Sequence, residues 1–396
     1  MLNIFFIGLV SFFTDISTEM VYPLIPLYLV GAFGATPALV GLIEGIAESL
    51  ASLLKVFSGY LTDRFQKKKL TAFCGYAPGL LYKFALLFAG SWLGILGARV
   101  IDRVGKGIRT APRDVLVSES ADKESMGKAF GLHKALDMFG AGLGILIVYL
   151  LMRGSGGSYD YKRLFALSMI PAVLGLVMFV FIKEKKQERQ EVKREFFWKN
   201  INKIDSQLKL YLLVVFLFTL GNSSNAFLIL KAKAAGFDEV NVILLFFIYH
   251  AVAAVLSMPM GKLSDRVGRK NLLVPGYLTF ALCYFGFAFA GTMIHMLAVF
   301  SLYGVFTAMI TGVERAFVAE IAPAELKGTM LGLHSTVAGV ALLPASIIAG
   351  LLWNRFGDKV PFVFGACLSL LSAALLIVFM KGGKKTEPVT FSRSTG

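Results

Sequence analysis

Gly59-Tyr60-Leu61-Thr62-Asp63-Arg64-Phe65-Gln66-Lys67-Lys68-Lys69 and Gly261-Lys262-Leu263-Ser264-Asp265-Arg266-Val267-Gly268-Arg269-Lys270 are two copies of one basic turn, 202 residues apart in a chain of 396. Each copy follows a long apolar stretch and leads into another. A second pair repeats at nearly the same spacing, Phe130-Gly131-Leu132-His133 against Leu331-Gly332-Leu333-His334. A chain that returns to the same apolar helix, charged turn and apolar helix at half its length reads as a duplicated membrane protein.

Composition agrees. Hydrophobic residues make up 56% of the chain and charged residues 16%, and the mean hydropathy is +0.70, outside the usual soluble range. A bilayer core of about 30 Å takes about 20 apolar residues per helix. Twelve such stretches can be laid down, at 3–30, 38–62, 70–90, 92–117, 128–152, 163–183, 209–231, 240–262, 272–291, 294–317, 329–353 and 360–381. The first lacks the basic leader of a cleavable signal and is expected to stay as a helix of the bundle.

Cations gather in alternate loops: Lys67 to Lys69, Arg266 to Lys270, the 183–209 segment, and Lys381, Lys384 and Lys385. The opposite loops, such as Gly154-Ser155-Gly156-Gly157, carry few. This bias puts both termini in the cytoplasm of a bacterial or archaeal cell, with the chain in its plasma membrane. It also accounts for most of the net charge of +15 without a nucleic-acid partner. Trp92 and Trp353 are expected at the outer ends of their helices. The scattered Cys74, Cys283 and Cys367 read as small buried hydrophobes rather than a disulfide or metal framework.

The expected organisation is all-α: a six-helix bundle over 1–183, a cytoplasmic linker over 184–208, a second six-helix bundle over 209–383 and a cytoplasmic tail over 384–396. Within the linker, Phe196-Phe197-Trp198 between Arg194 and Lys199 suits either a short helix on the membrane surface or a solvated connection.

Six plus six helices, with Gly-x-Leu-x-Asp-Arg-x-Gly-Arg-Lys between the second and third of each half, resembles the major facilitator superfamily. The second copy matches at every position; the first has Gln66 where the pattern has Gly. The resemblance implies two bundles related by a pseudo-two-fold axis along the membrane normal, with a substrate cavity between them near mid-membrane. It also implies a gating role for Gly59, Asp63, Arg64, Gly261, Asp265, Arg266 and Arg269. Asp63 and Asp265 would lock the cytoplasmic side by accepting hydrogen bonds from a helix N-terminus of the other half and from nearby Arg.

Ionisable groups at bilayer depth are costly unless paired or wet, so they mark a pathway. Asp15 and Glu19 stand one turn apart on the first helix, and Glu44 and Glu48 on the second, with Lys55 beyond them. The fourth carries Arg99, Asp102, Arg103, Lys106, Arg109, Arg113 and Asp114; the fifth carries His133, Lys134 and Asp137. The second half is sparser, with Asn222, Asn225, Lys231, His250, Glu314, Arg315 and His334. Asp15, Glu19 and Glu48 are the carboxyls expected to load and release protons, with Arg103 and Lys106 balancing their charge. Lys106, Asp137, Asn222, Asn225 and His250 are the expected substrate contacts, His250 aligning with Glu48 across the repeat.

Arg103-Val104-Gly105-Lys106-Gly107 resembles the Arg-x-x-Gln-Gly motif of drug/proton antiporters, with Lys106 in place of Gln. There the resemblance implies that Arg103 works with a first-helix carboxylate, and Asp15 ahead of Pro23 fits the acidic-then-proline pattern. The antiporter motif of the fifth helix is incomplete: Gly140, Gly142 and Gly144 are present without the proline.

Plainer readings stand beside these. Arg103 could form a static ion pair with Asp102 or Asp15, and Glu44 could be a solvated rim residue. Arg109, Arg113 and Asp114 suit gate or interface charges, His133 and His334 a shared structural role, and Asn222 and Asn225 cross-helix hydrogen bonds. No Gly-Lys-Ser/Thr phosphate loop or water-exposed catalytic triad is present, so ATP-driven transport and enzyme chemistry have no support.

The expectation is a monomeric secondary active transporter exporting a small organic compound by proton coupling, without cofactor or resident metal. Alternatives are divalent metal or metal-chelate efflux through the carboxylates and His250, and an organic-anion carrier using Arg103, Lys106 and Arg109. A non-transporting sensor is the remaining class.

Overall fold

A computed structural model of the protein describes residues 2–65, 68–121, 126–156, 159–184, 206–322 and 327–380, the side chains of 56–57, 59–65, 126–128 and 327–329 aside. The first half comprises α1 (Leu2–Glu19), α2 (Leu24–Phe33), α3 (Pro37–Phe65), α4 (Lys68–Phe88), α5 (Trp92–Glu119), α6 (Met126–Gly154) and α7 (Tyr161–Met178). The second comprises α8 (Ser206–Gly221), α9 (Ala226–Ala234), α10 (Glu239–Val267), α11 (Arg269–Phe289), α12 (Met293–Ile310), α13 (Val313–Ile321), α14 (Lys327–Phe356) and α15 (Val360–Phe379).

Three of the expected continuous spans are interrupted: α1/α2, α8/α9 and α12/α13. Counted as one span each, they bring the total among the described residues to twelve, six per half. Eleven are long and apolar enough to cross a bilayer. The twelfth, α5, has 28 residues and is too charged to qualify. It can still cross because its charges turn inward: Arg99, Asp102, Arg103 and Arg109 are all buried.

Asn3 Nδ2 donates to the Lys183 carbonyl at 3.0 Å and Gln207 Nε2 to the Phe379 carbonyl at 3.4 Å, so each half begins and ends on one face of the bundle. That face is termed terminal; the opposite one, with the loops around Gly34 and Gly236, is the far face. Both of those glycines have positive φ, 60° and 90°, and they end α2 and α9 at matching positions of the repeat.

Small residues set the helix spacing. Gly140 and Gly144 of α6 lie against the backbone of Phe12 and Ile16 of α1. Gly105 leaves no room for a side chain before α4, where a Cβ would stand 2.8 Å from the Gly75 carbonyl, and Gly107 faces Leu54 of α3. The motif glycines thus let α5 sit tightly between α3 and α4. Between the halves, Gly41 and Gly45 of α3 meet Ser346 and Leu343 of α14, and Gly350 meets Ala38. The Ala38 N–H donates to Asn354 Oδ1 at 3.3 Å, and the Tyr159 and Tyr161 hydroxyls donate to Glu239. These contacts close the far side.

Several expectations change. Only Cys283 is buried; Cys74 and Cys367 face outward, and all three are free thiols. Glu44 is 1% exposed and pairs with Arg99 at 2.5 Å, so it is no solvated rim residue. The 185–205 part of the linker, with Phe196-Phe197-Trp198, lies outside the described residues, as does the tail from 381 onward.

The Arg99–Glu44 pair fastens α5 to α3. Removing one partner leaves a buried charge without compensation, a cost of about 3–5 kcal/mol, whereas replacing both by apolar side chains costs far less. Arg99→Met should therefore lower the melting temperature of the purified protein markedly, and Arg99→Met with Glu44→Met should recover most of the loss. Equal losses in single and double variants, read by differential scanning fluorimetry, would contradict this account.

Candidate functional site

The chain breaks its first and seventh spans at equivalent places. α1 and α8 end at Glu19 and Gly221, and α2 and α9 begin at Leu24 and Ala226, each pair 202 residues apart. Local chemistry explains both breaks. Pro23 has no N–H and disfavours helical geometry at Tyr22 before it. Asn222, Ser223, Ser224 and Asn225 are polar side chains that compete for backbone hydrogen bonds, and Ser224 Oγ accepts from the Ala226 N–H at 3.3 Å. The two breaks lie side by side, with α2 packed against α9. Above them, between the halves, lies a cavity of about 360 Å³.

The first-half wall is charged. Arg103 pairs with Glu48 at 2.8 Å and lies 3.6 Å from Asp102, while Arg99 stands 4.0 Å from both Glu48 and Asp102. Both guanidiniums sit over the Tyr22 ring, at 5.4 and 5.9 Å from its centroid. Behind them Lys83, wholly buried, donates to the Gly79 carbonyl at 2.8 Å. Glu19 and Lys106 also line the cavity, and neither has an ion-pair partner among the described residues. Glu19 Oε2 is buried without a hydrogen bond.

The second-half wall is neutral. Asn222, Asn225 and His250 face the cavity with Tyr249, Tyr303, Phe306, Thr307 and Thr311. Tyr303 donates to Asn225 Oδ1 at 3.0 Å, fixing that amide. The His250 ring lies 4.7 Å from Phe246 and 4.4 Å from Tyr249, and its Nε2 is buried without a partner.

The structure therefore brings Glu19, Glu48, Arg103, Lys106, Asn222, Asn225 and His250 to one cavity. It leaves Asp15 and Asp137 outside: they lie on α1 and α6, which pack against each other, and Lys134 is 3.1 Å from Asp137. The ion partners of Arg103 are Glu48 and Asp102, rather than a carboxylate of the first span. His133 bonds Ser11 at 2.9 Å, whereas His334 stacks on Tyr211.

Of the gating set, Asp265 is 72% exposed and 3.8 Å from Arg269, which also reaches Glu320 at 3.0 Å. Arg266 ends α10. Gly261 meets no neighbour where a side chain would stand. Gly268 in the same turn has φ 92° and ψ 140°, a conformation open to glycine alone. Gly59, Asp63 and Arg64 lie on α3, but their surroundings fall outside the described residues, and so does Gln66. Among the described residues no three His, Cys, Asp or Glu side chains converge on a metal position. Tyr22, Tyr303 and Phe306 escape sequence reasoning; for Tyr22 the neighbouring Pro23 is the available signal.

Comparisons with known proteins fit this geometry. The uncharacterized MFS-type transporter MJ1317 of Methanocaldococcus jannaschii is 34% identical over 386 residues, covering 95% of this chain and 94% of its own. The multi-drug resistance efflux pump PmrA of Streptococcus pneumoniae is 30% identical over 132 residues, a third of each chain. Among solved structures, a point mutant of the nucleoside transporter NupG superposes with a TM-score of 0.81 at 12% identity, covering 96% of this chain and all of its own. A D-xylose-proton symporter gives 0.74 at 17%, covering 97% and 98%. Residues 7–231 and 210–394 each match the signature of the Major Facilitator Superfamily, one match per half. The chain is a multi-pass membrane transporter belonging to that superfamily.

Proposed function

We propose that the protein couples proton movement to export of a small organic compound across a prokaryotic plasma membrane, working as a monomer with both termini in the cytoplasm. The observation that carries this reading is Glu19. It is a carboxyl in the cavity between the halves, beside a helix break, with no ion-pair partner among the described residues and one buried oxygen lacking a hydrogen bond. A carboxylate so placed can take a proton in one conformation and give it up in another, whereas Glu48 is committed to Arg103.

With the termini in the cytoplasm, closure on the far side makes the present state the cytoplasm-facing one. The partial likeness to an efflux pump supports the outward direction. Organic-anion carriage is the weaker reading because Arg103 is already neutralised, leaving Lys106 as the free cation among the residues lining the cavity.

Two measurements test this. In energised everted vesicles reporting the pH gradient by acridine fluorescence, a panel of organic amines, acids and zwitterions should include members that dissipate the gradient. Glu19→Gln should cut that response by at least about tenfold while the protein still inserts and purifies normally. Transport that persists in Glu19→Gln, or after an uncoupler, would refute coupling at this residue.

The second concerns alternating access. A side chain at Gly41 would collide with the Ser346 carbonyl across the closed far side. Spin labels at Lys162→Cys and Lys233→Cys in a cysteine-free background should therefore show a longer-distance population when Gly41→Val is added. An unchanged distance distribution would mean that the α3–α14 contact does not hold the far side shut.

A further inference from the structure

The charges around the cavity divide into a closed set and a remainder. Arg99 is matched by Glu44, Arg103 by Glu48, and Asp102 stands among Arg99, Arg103 and Lys83. Three carboxylates and two guanidiniums thus pair within the first half, with Lys83 buried behind them on the Gly79 carbonyl. What remains facing the cavity is one anion, Glu19, and one cation, Lys106. Glu19 and Lys106 line the same cavity, yet the two form no ion pair in this structure.

A ligand carrying a single charge would satisfy one of these groups and leave the other without a counter-charge once the cavity closes around it, which is costly. A ligand with one positive and one negative group would satisfy both. We infer that the substrate is a small zwitterion, its protonated amine held by Glu19 and its carboxylate or similar anionic group held by Lys106. Across the cavity the lining residues of the second half present no formal charge: Tyr303 and Phe306 face the ligand's apolar or aromatic body, and His250 Nε2, otherwise unpartnered, takes a neutral hydrogen bond. The volume of about 360 Å³ lies near the small end of ligand pockets and suits a molecule the size of an amino acid or a short peptide.

This inference names the substrate class and rests on the transport reading above, but it can fail separately. The probes are matched sets sharing one body: L-tryptophan, L-phenylalanine and the dipeptide Phe-Ala, each beside its decarboxylated amine and its deaminated acid. Binding is read on the purified protein by thermal shift and calorimetry. At least one zwitterion should bind at least about tenfold more tightly than both of its singly charged analogues. Lys106→Gln should erase the advantage over the amine alone, and Glu19→Gln the advantage over the acid alone. Because both replacements keep side-chain size, the melting temperature without ligand reports folding independently.

An amine that binds as well as its zwitterion would make this a cation carrier and overturn the inference; an equally good acid would make it an anion carrier with the same consequence. Failure of every probe to bind at millimolar concentration also overturns it. Proton-coupled flux without zwitterion preference defeats this inference alone, whereas zwitterion binding without proton movement defeats only the coupling.

Discussion

A guanidinium with no solvent exposure at bilayer depth must be neutralised where it sits, and Arg99 imposes that requirement on everything around it. Glu44 has to approach from α3, which draws α3 and α5 together. Glu48, one turn further along α3, then meets Arg103, one turn further along α5. Two parallel rows of opposite charge are thereby locked in register, and Gly107, facing Leu54 of α3, provides the close approach this needs. The ligand-facing charges are what this register leaves over.

The architecture is legible in the chain because it depends on length and repetition. Twelve spans, the half-length duplication and the basic turns all follow from where apolar runs stop. α5 is the instructive case. An apolarity threshold rejects it, yet its buried face explains why a segment with Arg99, Asp102, Arg103 and Lys106 can still cross. The first break is hidden because Leu2–Phe33 has the length and mean hydropathy of a single span, within which only Pro23 hints that the helix cannot continue. The outward cysteines mislead for a related reason. In a lipid-facing protein an apolar environment lies outside the bundle as well as within it, so apolarity does not imply burial.

At the site, identity is easier to read than partnership. Residue type and depth single out Glu19, Glu48, Arg103, Lys106, Asn222, Asn225 and His250, and they line one cavity. Pairings depend on which helix faces which, and no periodicity in an almost wholly apolar bundle carries that. So depth alone puts Glu44 at the rim although it lies against Arg99, and spacing groups Asp15 with Glu19 although only Glu19 lines the cavity. Four residues along a helix are about 6 Å along its axis, enough for neighbours on one face to meet different helices.

The interruption at Thr311-Gly312 has no counterpart in the first half, where α5 runs unbroken through the equivalent position. Gly312 adopts φ 90°, and the helical ladder restarts only at the Ala316 N–H bonded to its carbonyl. Bending there breaks no intact helical hydrogen bond, so α13 can act as a hinged flap, whereas α5 continues as one helix through Pro112, with the freed Ile108 carbonyl taken by Ser58 Oγ at 2.6 Å. The duplicated halves share a plan without sharing this joint: the second interrupts its helix at Gly312, and the first bridges its missing bond with a serine of the neighbouring helix.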